Sequence, residues 1–360
     1  MSTLRMAAVA AEFGRDLEED FAVVERLIKE ARTAGVRLLA LPEACLGGYL
    51  LSLDDSASDE GPPALALDGP EIRRLAALAG ELTVVAGYCE ADGDARYNSV
   101  VCVNGDGVLG NHRKVHQPLG EDASYASGDR FHAFDTPVGR IGMMICYDKA
   151  FPKSARALAL DGAEIGVCVS AWPGSRTNAA TELADDRWKR RFDLFDRARA
   201  LENQIVWISA NQAGTFGSLG FVGSAKVVDP GGEILADTGV EAGLAIAELD
   251  VTQALETARR SMGHLRDRRP DERRDRTRRR PLEASLRSLR PGPRPGEPDR
   301  VDLRQPGGYL RVATLRRQRQ GRRPGWRDPR RHRSRSGSGD RRTRRHPGPG
   351  DRPPLHGAPA

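Results

Sequence analysis

The chain has 360 residues, enough for one large domain or two ordinary ones, yet its 39% of hydrophobic residues is somewhat low for that length. The charge explains the deficit: residues 271–360 hold 27 arginines, no lysine and 10 acidic residues (+17), whereas residues 1–270 hold 29 basic and 40 acidic residues (−11), so the net +6 describes neither part. Five cysteines without tight spacing exclude a disulfide framework and fit a reducing cytoplasm, no Cys/His group has metal-ligand spacing, and no apolar run is long enough to span a membrane.

In chain order, Met6–Phe13 reads as a strand, and its apolar run is too short for a signal peptide. Asp16–Ala34 carries Phe21, Val24, Leu27 and Ile28 at helical spacing, with Gly35 placed to end the helix. Leu38–Leu41 is a buried strand that leads to Glu43. The segment Leu50–Gly69 is small, polar and proline-containing, which predicts a loop near a pocket mouth. Pro70–Leu78 reads as a helix. Leu82–Cys89 and Tyr97–Asn104 are strands joined by an Asp/Gly-rich turn, a hairpin pattern, and Gly107–His112 adds a strand that delivers Lys114. Gln117–Asp129 is irregular and contains Glu121. His112 and His116 flank the lysine without a partner pattern and read as structural.

The second half repeats the alternation. Phe131–Thr136 and Gly139–Ile145 are strands, the second ending abruptly at Cys146-Tyr147-Asp148. Pro152 stands where a helix tolerates proline, and Ser154–Asp161 continues it. Ile165–Ser170 is a buried strand running to Trp172-Pro173. Asp185–Glu202 is a long helix whose Trp188, Phe192 and Phe195 form a stripe suited to the core or to a partner subunit. Ile205–Ala210, Phe221–Asp229, Glu233–Leu235 and Leu244–Leu249 are closing strands, with Pro230-Gly231-Gly232 as a hairpin turn. Strands and helices alternating in both halves argue an α/β fold with helices covering sheets.

Three strands thus end in a Glu, a Lys and a Cys. A lone cysteine at a strand end more often packs as a small hydrophobe, but the company of the other two gives it a chemical use. A strand-to-helix turn favours a thiolate. A carboxylate can take the thiol proton and later return it to a leaving nitrogen. An ammonium can stabilise the oxygen anion formed when a carbonyl or nitrile is attacked.

The stretches Pro42-Glu43, His112-Arg113-Lys114 and Ile145-Cys146-Tyr147-Asp148, in that order, resemble the nitrilase superfamily of carbon–nitrogen hydrolases. Arg156–Glu164, Ser170–Pro173 and Arg199–Gln204 followed by Ala210-Asn211 support the likeness, which covers roughly residues 4–270. The resemblance implies a four-layer α-β-β-α sandwich, a hydrolase needing no metal or organic cofactor, and a homo-oligomer. It implies Cys146 as nucleophile, Glu43 as base and then acid, and Lys114 with the backbone N–H of Tyr147 as the oxyanion site. Glu121 matches a second glutamate of the family, which would orient Lys114 or the substrate; by itself it reads as a solvated loop carboxylate. Tyr147, where nitrilases carry tryptophan, points to a small amide or N-carbamoyl substrate, with a small nitrile as the alternative. Tyr49, Trp172, Arg176 and Asn178 are candidate substrate contacts beside their ordinary roles in packing and loops.

From Arg266 the pattern departs from the family. The domain is drawn as 1–265 and the rest, 266–360, as an Arg/Pro/Gly-rich disordered tail without the apolar content to fold. Such a tail could bind nucleic acid or an acidic partner non-specifically, or be inert. A shifted reading frame best accounts for its arginine excess and its lack of lysine. The body, acidic and without basic-aromatic interleaving, does not read as a nucleic-acid binder.

Overall fold

Period-two alternation organises the molecule. In β1 (Leu4–Ala11), Met6, Ala8 and Ala10 join one core cluster, while Ala7, Val9 and Ala11 join another on the opposite face. The structure, a computed structural model, describes residues 3–53, 61–118 and 120–262. The domain boundary at 265/266 and the arginine-rich tail lie outside the described residues.

α1 (Leu17–Thr33) is capped by the Asp16 carboxylate, which accepts from the N–H groups of Glu18 and Glu19. The chain leaves it through Gly35 at φ 71°, as its sequence position predicts. Phe21, Val24, Leu27 and Ile28 are buried; each such side chain contributes roughly 1.5–3 kcal/mol. There follow β2 (Leu38–Ala40), the short β3 (Leu65–Ala66), α2 (Pro70–Ala79), and the meander β4 (Thr83–Asp92), β5 (Ala95–Asn104) and β6 (Gly107–Arg113). Residues 54–60 of the loop expected over 50–69 lie outside the described residues. The second half contains β7 (Ala133–Thr136), β8 (Gly139–Ile145), α3 (Pro152–Leu160), β9 (Ile165–Ser170), α4 (Arg187–Asn203), β10 (Val206–Gln212), the two-residue strands β11 (Thr215–Phe216) and β12 (Leu219–Gly220), β13 (Lys226–Val228), β14 (Ile234–Asp237), β15 (Gly243–Leu249) and α5 (Val251–Met262).

The main sheet runs β6-β5-β4-β2-β1-β10-β9-β8-β7, with β15 antiparallel to β1 and β13 antiparallel to β10. It bends so that its halves face each other. Met6, Leu38, Val85 and Cys102 of one half share a core with Met143, Ile145, Val167, Val169 and Ile208 of the other. Outward residues Val84, Val101 and Leu39 pack under α1 and α2, and outward Met144, Cys168 and Trp207 pack with Leu158 of α3 and Ala200 of α4. The layers are therefore helix, sheet, sheet, helix, the four-layer sandwich expected. Its two sheets are continuous, joined by the parallel register Ala10↔Asn211 and Ala11↔Gln212. The open ends come close at β6 and β7, where a Cβ on Gly110 would lie 2.6 Å from the Phe134 ring.

One expectation is corrected, one element is added and one open alternative is settled. The strand read over Phe221–Asp229 reduces to Lys226–Val228, because Gly223 (φ 58°) and Ser224 (φ 59°) are left-handed and break the extended run. α5 was not foreseen; its apolar Leu255 and Ala258 are buried, but the arginines beside them mask the pattern. The stripe on α4 faces its own core: Phe192 is fully buried, and Trp188 and Phe195 pack on the central cluster. The exposed apolar side chains of α4 are Leu194 and Leu201.

Candidate active site

Glu43, Lys114, Glu121 and Cys146 stand at the ends of elements from both halves of the sheet. Glu43 follows β2, and its turn lies so close to β4 that a Cβ on Gly87 would come within 2.4 Å of the Ala44 nitrogen. Only glycine fits there. The second half pins the glutamate. Its N–H donates to the Ser170 carbonyl at 3.3 Å, its Oε2 accepts from the Ala171 N–H at 2.5 Å, and its carbonyl accepts from Gln212 at 3.1 Å. Lys114 leaves the end of β6 with its N–H on the Asn98 carbonyl at 2.8 Å. Glu121 opens a short 3-10 helix after Gly120, which is left-handed at φ 84°.

These side chains converge. The Lys114 ammonium donates to Glu43 Oε1 at 2.7 Å and lies 2.8 Å from Glu121 Oε2. Asn98 Nδ2 donates to Glu43 Oε1 at 2.7 Å and to Glu121 Oε1 at 2.6 Å, and the Tyr49 hydroxyl donates to Glu121 Oε1 at 3.1 Å. All three charged groups are fully buried. Burial works to lower Lys114, but the carboxylates of Glu121 and Glu43 overcome it and hold the ammonium well above its usual range. Burial pushes Glu121 up to about 7, against the pull of Lys114. One cation thus serves two carboxylates, and the second retains a proton near neutrality.

Cys146 follows β8 at φ 49°, a left-handed backbone that a β-carbon disfavours by about 1–2 kcal/mol. It opens the 3-10 helix Cys146–Ala150. Burial, and then the Glu43 carboxylate, raise its thiol well above the ordinary range, while Lys114 lowers it. Its surroundings therefore favour the thiol over the thiolate. The N–H of Tyr147 lies in the first turn of this helix, where N–H groups have no carbonyl partner inside the helix. Its ring is part-exposed, edge-on to Phe151.

The turn is held from one side by Asp148. One of its oxygens accepts from the His116 N–H at 2.8 Å and faces His116 Nδ1 at the same distance, and the other accepts from the Ile145 N–H at 3.2 Å and faces His112 Nε2 at 3.4 Å. Burial opposes this carboxylate, but the two histidines outweigh it and bring it down to about 2. His116 also stacks on Phe151 at 3.9 Å between centroids.

The substrate-contact candidates are scattered. Tyr49 is part of the charged cluster. Trp172 is buried against Phe192 and Phe195. Arg176 lines a cleft of about 660 Å³ with Pro173, Gly214 and Phe221, and Phe221 meets Tyr49 edge-on at 6.4 Å. Asn178 sits on the exposed loop beside it, at φ 54°. Sequence reasoning missed Asn98, because an asparagine in mid-strand carries no signal of its own. Among the described residues no cluster of three or more His, Cys, Asp or Glu is arranged to hold a metal ion, and no helix is long and apolar enough to cross a membrane.

Comparison with known proteins follows the same boundaries. The sequence profile of the carbon-nitrogen hydrolase family matches residues 5–259. The chain is 31% identical to N-carbamoylputrescine amidase of Arabidopsis thaliana, over 71% of this chain and 89% of the relative. It is 32% identical to a nitrilase of Pyrococcus abyssi, over 65% of this chain and 84% of the relative. Among solved structures it is similar to a carbon-nitrogen hydrolase from Helicobacter pylori G27, with a TM-score of 0.65 and 26% identity, covering 74% of this chain and 96% of that one.

Proposed function

The chain is an enzyme of the carbon–nitrogen hydrolase family in the nitrilase superfamily, and we propose that it hydrolyses a small linear amide or N-carbamoyl compound through a thioester on Cys146. The observation that carries this reading is the buried Lys114 ammonium shared by Glu43 and Glu121, with Cys146 held in their field at a left-handed turn.

In this mechanism Glu43 accepts the thiol proton as the sulfur bonds to the carbonyl carbon. The oxyanion is received by Lys114 and the Tyr147 N–H; each donor lowers the barrier by about 3–4 kcal/mol. Collapse breaks the C–N bond, and Glu43 returns its proton to the departing nitrogen, leaving the thioester. Water then attacks, giving a proton to Glu43; collapse expels the sulfur, which is reprotonated as the acid leaves. Glu121 and Asn98 keep Lys114 and Glu43 in register. The N-carbamoylputrescine amidase relative and Tyr147 support amide-like substrates over nitriles. Tyr49, bonded to Glu121, is the best supported of the four substrate-contact candidates, and Arg176 lines a cleft beside it with Phe221.

Five free, buried cysteines support action in a reducing cytoplasm. Self-association would use the exposed Leu160 of α3 and Leu194 and Leu201 of α4, and light scattering tests it. The domain is taken to end near residue 265, with no role for the tail.

The deciding experiment measures ammonia release from a panel of primary amides, N-carbamoyl amines and nitriles by wild type and by Cys146→Ser. Turnover of amide or carbamoyl compounds, lost in the variant with the fold intact, supports the reading. A variant within tenfold of wild type overturns the nucleophile, and preference for a nitrile over the matching amide overturns the substrate class.

A further inference from the structure

Behind the nucleophile turn lies a second buried charged cluster that the reaction above does not use. Lys149, three residues after Cys146, belongs to the same 3-10 helix, and its side chain is fully buried. Its ammonium donates to Asp196 of α4 at 2.7 Å and to the Ser209 hydroxyl of β10 at 3.3 Å, and it lies 3.0 Å from the centre of the Phe192 ring. Asp196, also fully buried, accepts from the Trp207 indole at 2.9 Å and from Lys226 at 3.3 Å. On the backbone side, Arg199 of the same helix donates to the carbonyls of Lys149 at 2.7 Å and Ala150 at 3.3 Å. The five-residue helix that carries Cys146 is thus tied to α4 by both a side chain and its terminal carbonyls.

A left-handed non-glycine residue persists only where its surroundings over-determine it. Asp148 fixes the turn toward β6, and the contacts of Lys149 and Arg199 fix it toward α4. We infer that Lys149 is a positioning residue: its ion pair with Asp196 holds the Cys146–Ala150 turn in the left-handed geometry that presents the sulfur and the Tyr147 N–H to one carbonyl group. The inference rests on Cys146 being the nucleophile. An ordinary structural ion pair would stabilise the fold without affecting the reactivity of the sulfur, and Lys226 supplies that contrast. It pairs with the same Asp196 and with Asp193 at 2.9 Å, is equally buried, and stands on β13 away from the turn.

The test compares Lys149→Met with Lys226→Met, each removing one buried ammonium from Asp196. Melting temperature, kcat and KM are measured, together with the rate at which iodoacetamide alkylates Cys146, read by peptide mass spectrometry. For Lys149→Met, kcat and the alkylation rate should fall about tenfold or more with KM within about threefold, whereas Lys226→Met should keep both rates within about threefold at a similar loss of melting temperature. Lys149→Gln, whose amide can still donate to Asp196, should lie between, and it carries the comparison if the methionine variant does not fold. Equal kinetic losses in the two lysine variants, or wild-type kinetics in folded Lys149→Met or Lys149→Gln, overturn the inference. Cys146→Ala assayed in parallel separates the two readings: if it retains turnover, the nucleophile assignment has failed; if it is inactive, the lysine variants report on positioning alone.

Discussion

The two buried lysine clusters use the same residue types to opposite ends. Around Asp196, each carboxylate has at least one ammonium to itself: Asp196 meets Lys149 and Lys226, and Asp193 meets Lys226 and Lys189. Around Lys114, one ammonium faces two carboxylates, and the imbalance is met by a proton held on Glu121 up to about 7. A cluster in which every carboxylate has its cation serves as an anchor. An unbalanced one leaves one carboxylate more than its cation can neutralise, which suits a site proposed to take up and return a proton. Charge stoichiometry, more than burial or the presence of lysine, distinguishes a working cluster from a fastening one.

The sharpest way to break this contrast is Lys114→Met. Removing the shared cation leaves two buried carboxylates facing each other, so a stability loss of about 3–5 kcal/mol should accompany a turnover loss of at least about 100-fold. Glu43→Gln keeps a neutral acceptor for Lys114 and should lose turnover by about 100-fold or more while its urea midpoint stays near wild type. If the two variants lost stability equally, the cluster would be an anchor after all.

The pH dependence sharpens the comparison next. Because Glu121 is raised from 4.5 to about 7, its ionisation in the folded enzyme should appear as a rising limb of kcat/KM centred near pH 7, absent in Glu121→Gln. The linked stability has the opposite slope: the folded state binds the extra proton, so this group's contribution declines as pH rises from about 4.5 to about 7. Asp148 behaves in reverse. Lowered from 3.8 to about 2, it contributes on the order of 2 kcal/mol above pH 4, and that contribution is lost as pH falls from 4 through 2. Acid titration of wild type against Asp148→Asn, followed by circular dichroism, measures it.

The smallest effect should come from Cys168→Ala. This thiol lies on the outer face of β9, within the field of Lys149, and burial pushes it up to about 12. A neutral packing residue there should cost about 1 kcal/mol and leave kcat within about twofold. A larger kinetic loss would show the Asp196 cluster to be more than a fastening.

How much of this was legible beforehand depended on whether a residue's meaning lay in its neighbours along the chain. Glu43, Lys114 and Cys146 could be found because each follows a strand-like segment and stands in a short motif, and both are visible in sequence. Asn98 bridges two carboxylates from the middle of β5, where the same alternation would accommodate any polar residue. Lys149 looked like an ordinary charged residue near a helix start, and its burial depends on Asp196 47 residues later. The inward turn of Trp188, Phe192 and Phe195 was one of two readings of the same stripe, because periodicity marks an apolar face without saying what covers it. The left-handed Gly223-Ser224 step, which shortens β13, follows from packing against Val240 and the bond from Ser224 to the Gly239 carbonyl, both distant in sequence.

The pairing of β1 with β15 sets when the enzyme can first exist. Leu4 pairs with Leu249, and among the described residues the strand pairing that joins the half-sheets is β1 with β10, so an early strand waits for much later ones to complete its surroundings. At roughly 5–20 residues per second, that delay is on the order of 10–50 s, during which β1 has neither β10 nor β15 beside it. Glu43 and Lys114 emerge early, but the bonds of Glu43 to Ser170, Ala171 and Gln212 and the approach of Cys146 require the later half. A fragment that ends before β10 lacks Gln212 and leaves Glu43 without one of its bonds. The buried cluster around Glu43 is complete only when the sheet is.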